Sequence, residues 1–244
     1  MGDARLSPDG HAVAFGSMAG GIDQVFLMLT SGGEPLQLTN DEGGKFVNDF
    51  SADGKEVCYT RDLGGDFEVW AVHTLGGSPR RVVSAVGILP SPDGASFFYW
   101  KPNHPAIFRV GESGLNEDLV YQSQDNGLSV YPLLLFPGGN DLLAYALRPH
   151  SPSGRLLKIS STSHEAVDLG EMVLPESAVA WAEPGNSIVF SREVNGLRNI
   201  WTYACKNERP RHFDRGRRPV ARCAHDDTEF LRRFHINRSI PQAG

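Results

Sequence analysis

One short phrase recurs along the chain and limits what it can fold into: Ser7-Pro-Asp-Gly10, Ser51-Ala-Asp-Gly54 and Ser91-Pro-Asp-Gly94. Two degenerate copies follow, Phe136-Pro-Gly-Gly-Asn140 and Glu183-Pro-Gly-Asn186. Anchored on Gly10, Gly54, Gly94, Asn140 and Asn186, the copies are spaced by 44, 40, 46 and 46 residues. Each copy precedes an apolar strand: His11–Phe15, Glu56–Thr60, Ser96–Trp100, Leu142–Leu147 and Ser187–Ser191. A second strand follows a polar gap, as in Asp23–Leu29, Phe67–Val72 and Asn199–Tyr203. Gly-Gly turns at Gly32-Gly33 and Gly76-Gly77 lead to short outer strands, Glu34–Thr39 and Pro79–Val83. The residues before each turn, such as Phe46–Phe50 and Ala178–Trp181, supply the fourth strand.

The turn chemistry explains the phrase. Proline presets φ, aspartate bonds its own backbone, and glycine accepts the positive φ that closes a tight hairpin. Each unit then makes four antiparallel strands, in a span typical of one propeller blade. A single such sheet cannot bury both faces, whereas blades stacked around an axis can. A β-solenoid needs a shorter period, and a sandwich does not repeat its turn sequence. The expected fold is therefore all-β: a propeller with five recognisable four-stranded blades at about 3–39, 46–83, 87–121, 129–169 and 177–210. Composition agrees. Glycine and proline number 27 and 16 in 244 residues, lysine only five, and 40% of residues are apolar, enough for a sizeable core. No apolar run reaches the roughly 18 residues of a membrane helix, so no membrane insertion is expected.

The Ser-Pro-Asp-Gly turns, the strand Asp66-Phe-Glu-Val-Trp-Ala-Val72 and the stretch Gly76-Gly-Ser-Pro-Arg-Arg-Val82 resemble the TolB-like, WD-repeat-like β-propeller family. The resemblance runs from about residue 3 to residue 210. It implies a binding or sensory propeller, as in periplasmic translocation proteins and the C-terminal domains of bacterial serine/threonine kinases and winged-helix regulators. Ile107-Phe-Arg-Val110 and Arg198-Asn-Ile-Trp201 are most similar to the regulator and kinase-linked members. The same family also provides the gating propeller of prolyl-oligopeptidase-type hydrolases. That is the alternative reading, with the catalytic domain lacking. A periplasmic location is implied by the resemblance, although the N-terminus carries no signal peptide.

Beyond residue 210 the pattern stops. Residues 209–238 hold nine arginines against four acids, while the rest of the chain carries 14 basic and 25 acidic residues. The acidic body argues against nucleic acid as a partner, because phosphate contacts need a basic face. The stretch 211–244 is read as an aberrant basic tail, a frameshifted or spurious extension. A divergent last blade and an anion-binding arm are the other readings. With the first inner strand starting almost at Met1, the expectation is an incomplete ring of six or more blades, prone to associate through uncovered edges.

No catalytic set emerges. Gly111-Glu-Ser-Gly-Leu115 lacks the final glycine of a nucleophile elbow and reads as a turn. Eight histidines are scattered without ligand spacing, and Cys205, His212, Cys223 and His225 stand at intervals incompatible with zinc. Asp9, Asp53 and Asp93 recur in register, a recurrence that their turn role explains. No enzyme activity, metal or cofactor is expected. One registered feature points outward: Arg61 and Lys101 stand seven residues after their glycines, with Arg148 and Arg192 at the matching strand ends. Blade symmetry puts these four cations on one rim, with Trp100, His104 and His150 enlarging the surface. Such a rim suits an acidic protein or peptide segment, or another domain of the parent polypeptide. Local pairing with acids such as Asp62, Asp66 or Glu193 is the competing reading. Trp70, Trp181 and Trp201 lie on strands and are read as core.

Overall fold

In the computed structural model, residues 4–102, 104–173, 179–194 and 197–205 are described, the last two strands partly by backbone alone. All regular structure is β, in five antiparallel sheets, each a meander in chain order. Blade one comprises β1 (Ala4–Leu6), β2 (Ala12–Ala19), β3 (Ile22–Leu29) and β4 (Leu36–Gln37). Blade two comprises β5 (Gly44–Phe50), β6 (Glu56–Asp62), β7 (Phe67–His73) and β8 (Arg80–Val83). Blade three holds β9 (Gly87–Pro90), β10 (Ser96–Trp100), β11 (Ala106–Gly111) and β12 (Asp118–Gln122). Blade four holds β13 (Ser129–Leu135), β14 (Asp141–Leu147), β15 (Ser153–Ser160) and β16 (Ala166–Val173). Three strands of blade five are described: β17 (Ala180–Glu183), β18 (Ser187–Val194) and β19 (Leu197–Ala204). The stretch 211–244 lies outside the described residues.

The second strand of each middle blade is buried on both faces, which is why it reads as an unbroken apolar run. In β6, Val57 and Tyr59 pack toward blade one while Cys58 packs toward blade three. In β14, Leu142, Ala144 and Ala146 face blade three, and Leu143 and Tyr145 face blade five. The hydrophobic clusters thus join blades one and two, two and three, three and four, and four and five.

The three full turn phrases are built alike. The Ser7 hydroxyl donates to Asp9 Oδ1 at 2.6 Å and accepts the Ala12 N–H, while the His11 N–H donates to Asp9. Ser51 with Asp53 and Ser91 with Asp93 repeat this network. These bonds pull the Asp9 and Asp93 carboxyls below their usual range, and Asp53 likewise with Lys55 as its largest cause. The turns also stack from blade to blade: a side chain on Gly54 would touch Pro8, one on Gly139 would meet Pro92, and one on Gly185 would meet Pro137. In blade four the anchor is corrected by one place. The Gly139 N–H, not that of Asn140, closes the turn onto Phe136 O at 3.0 Å, and Gly139 takes the positive φ of 75°.

Candidate functional site

The innermost strands β1, β5, β9, β13 and β17 enclose an axial cavity of about 790 Å³. Its wall is mostly apolar, with Leu6, Leu89, Leu134 and Leu147 among its residues. Polar and aromatic groups interrupt that wall at Arg5, Asn48, Asp49, Trp100, Tyr131 and Trp181. The mix of apolar surface and a few placed polar groups is that of a ligand site.

Trp100 lines this cavity because its cross-strand partner is glycine. A Cβ on Gly87 would lie 2.5 Å from Trp100 Cη2 and 2.9 Å from Asn48 Oδ1, so only a glycine admits the indole there. The ring meets Tyr131 edge to face at 6.1 Å between centroids. Its Nε1 is buried and without a partner, a state shared only with Trp201 Nε1 among the described residues. Such an orphan donor is costly to bury. Across the cavity, Trp181 donates from Nε1 to Leu135 O at 2.9 Å and packs on Phe136.

A polar chain ties the first three blades beside the cavity. Arg5 Nε donates to Asn48 O at 2.7 Å, Asn48 Nδ2 to Thr60 Oγ1 at 3.0 Å, and the Thr60 hydroxyl to Val86 O at 2.6 Å. Asp49 sits alongside, and burial raises its carboxyl above the usual range; the Phe50 N–H and the Arg5 charge offset part of that.

Of the four cations expected on one rim, the three whose side chains are described, Arg61, Lys101 and Arg148, are each paired with an acid. Arg61 Nε donates to Glu42 O at 2.9 Å and its Nη1 lies 3.3 Å from Asp41 Oδ2, with the guanidinium over Trp70. Asp41 is itself fixed by Lys45, whose fully buried ammonium donates to the carbonyls of Asp41, Glu42 and Gly43 and reaches Asp41 Oδ1 at 3.0 Å. Arg148 pairs with Asp125. Arg61 and Arg148 therefore clamp the loops that lead into the inner strands of their own blades. Lys101 is drawn back across its blade, its Nζ 4.5 Å from the Phe108 ring centroid and 3.4 Å from Glu117. His104 packs edge-on to Phe108, His150 is exposed at a positive φ of 61°, and the Arg192 side chain lies outside the described residues. Trp100 lines the axial cavity. The acids that pair with the cations, Asp41, Glu117 and Asp125, come from other loops than the sequence neighbours Asp62 and Asp66. Their proximity follows from the blade geometry.

Sequence reading passed over the inner-strand residues Arg5, Asn48 and Asp49. Their signal was available: polar side chains two or three places before the turn phrase, on the strand that faces the axis. Among the described residues no three His, Cys, Asp or Glu side chains gather into a metal-binding group.

No protein-family model matches the chain, and no curated protein matches it in sequence. Solved structures do. TolB from Acinetobacter baumannii superposes with a TM-score of 0.68 at 17% identity, over 83% of this chain and 51% of that one. A putative TolB from Agrobacterium tumefaciens gives 0.60 at 19%, over 70% of this chain and 65% of that one. Hydrazine synthase from Kuenenia stuttgartiensis gives 0.59 at 17%, over 84% and 62%. This chain thus spans between half and two thirds of the TolB chains that it matches. At these identities the likeness concerns architecture, and functions vary widely on one architecture. The stacked turns, the meander blades and these superpositions together establish that the chain has the TolB-like β-propeller fold.

Proposed function

We propose that this chain is a non-enzymatic binding module that takes a protein or peptide segment into the axial cavity, through the mouth flanked by Arg61 and Arg148. The cavity carries the reading: about 790 Å³ of mostly apolar wall, lined by residues from all five blades. A rigid ring that presents loops around such an opening suits recognition of an extended segment. The apolar and aromatic wall, Trp100 and Trp181 included, supplies affinity. Rim charge contributes steering only, since Arg61 and Arg148 already hold carboxylates.

Selection of binders from a random decapeptide library, followed by fluorescence anisotropy, tests this. Leu134→Arg, which puts a charge into the wall, is expected to weaken a selected peptide at least tenfold. Arg61→Ala with Arg148→Ala is expected to weaken it a few-fold, with the difference vanishing at high salt. Peptides that bind the Leu134→Arg protein as tightly as the parent would overturn the cavity reading.

A further inference from the structure

Blade one leaves half-buried a face whose counterparts in the next blades are mostly buried. Cross-strand pairing puts Val13, Phe15, Phe26 and Met28 together on one side of β2 and β3, with Leu6 of β1 beside them. The repeat offset matches these four to Val57, Tyr59, Trp70 and Val72 of blade two, which pack against blade one. In blade three the matching group is Phe97, Tyr99, Phe108 and Val110, packed against blade two. Leu6 is 57% exposed, whereas Phe50, in the equivalent position of blade two, is 2% exposed. Phe15 and Phe26 stack on each other at 5.9 Å but join no hydrophobic cluster.

Blade five shows the converse face. Val189 and Thr202 pair across β18 and β19, with Ile200 next along. By register they match Cys58, Ala71 and Val69, the small residues that blade two presses onto blade three. Ile200 is 61% exposed, against 0% for Val69. At the contacts between blades one and two and between blades two and three, the larger aromatic group meets such a small aliphatic group: Tyr59 and Trp70 meet Ala12, Ala14 and Val25, and Tyr99 and Phe108 meet Cys58, Val69 and Ala71. The molecule therefore carries both halves of one blade–blade interface, and no hydrophobic cluster among the described residues brings them together.

We infer that these two faces form a head-to-tail interface between copies of this chain, the blade-five face of one copy on the blade-one face of the next. The occupant is a second copy because that copy brings the very surface chemistry that covers the equivalent aromatic groups in blades two and three. The contact is heterologous: each copy uses one face and leaves the other free, so association rises with concentration.

Sedimentation velocity of the full chain, from low to high micromolar, tests this. The parent protein is expected to form species larger than a monomer. Phe15→Glu and Ile200→Glu, each alone, are expected to be monomers, and their equimolar mixture a dimer that grows no further. Met28→Glu and Thr202→Arg repeat the test at neighbouring positions, with far-UV circular dichroism and melting temperature confirming that each variant is folded. A monomeric parent would overturn the inference, as would loss of association in Phe15→Glu alone with Ile200→Glu still dimeric, which indicates pairing of two blade-one faces.

Discussion

At the scale of single residues, the molecule holds two kinds of acid whose pH responses oppose each other. Asp9, Asp53 and Asp93 receive turn hydrogen bonds that depress their pKa. Their stabilising contribution is present above the unfolded value and is lost as pH falls through the lower folded one. Asp49 is the reverse case. Burial beside the cavity raises its folded pKa, so the folded state binds more protons than the unfolded state above about pH 4. Its contribution is present at low pH and is lost as pH rises through the folded pKa. Asp49→Asn keeps an oxygen for the Phe50 N–H and removes the charge. Its melting temperature is expected to exceed the parent's at pH 7 and to converge with it below about pH 4. Differential scanning calorimetry across that range checks this, and a lower melting temperature at pH 7 would contradict it. Among the described residues the two cysteines act as packing groups: burial pushes the Cys58 thiol up to about 12 and that of Cys205 to about 11.

At the scale of elements, the unit that matters is the turn with its two flanking strands. Ser91 is nearly buried and serves both sides of its turn, donating to Asp93 and accepting the Ser96 N–H. Ser91→Ala leaves that N–H without its partner and is expected to cost about 1–2 kcal/mol in urea unfolding. A loss indistinguishable from zero would show that the turn network is incidental. This element was also the most legible part of the sequence, since the phrase states its own hydrogen bonds: serine, aspartate and glycine each do one local job. Legibility fell where local chemistry weakened. Without the serine and aspartate, Phe136–Asn140 left two residues that could take the glycine's place, and only the Gly139 bond to Phe136 decided between them. The register of Arg61, Lys101 and Arg148 along the repeats was legible. Their partners were not, because Asp41 and Asp125 reach Arg61 and Arg148 from loops that only the blade geometry brings near. Lys45 makes the same point more strongly. A lone lysine on a strand gives no sign in sequence that it will be buried whole and capped by three carbonyls.

For the molecule as a whole, the ring makes a feature that no single blade contains. Each blade contributes one inner strand, and the five strands together enclose the axial cavity. The cavity was not visible in the sequence because its wall is assembled from positions about one repeat apart. The most direct test is amide hydrogen exchange with and without a selected peptide. Binding along the axis predicts slower exchange in β1, β5, β9, β13 and β17 together, with the outer strands β4, β8, β12 and β16 unchanged. Protection confined to one blade, or to the outer strands, would contradict it.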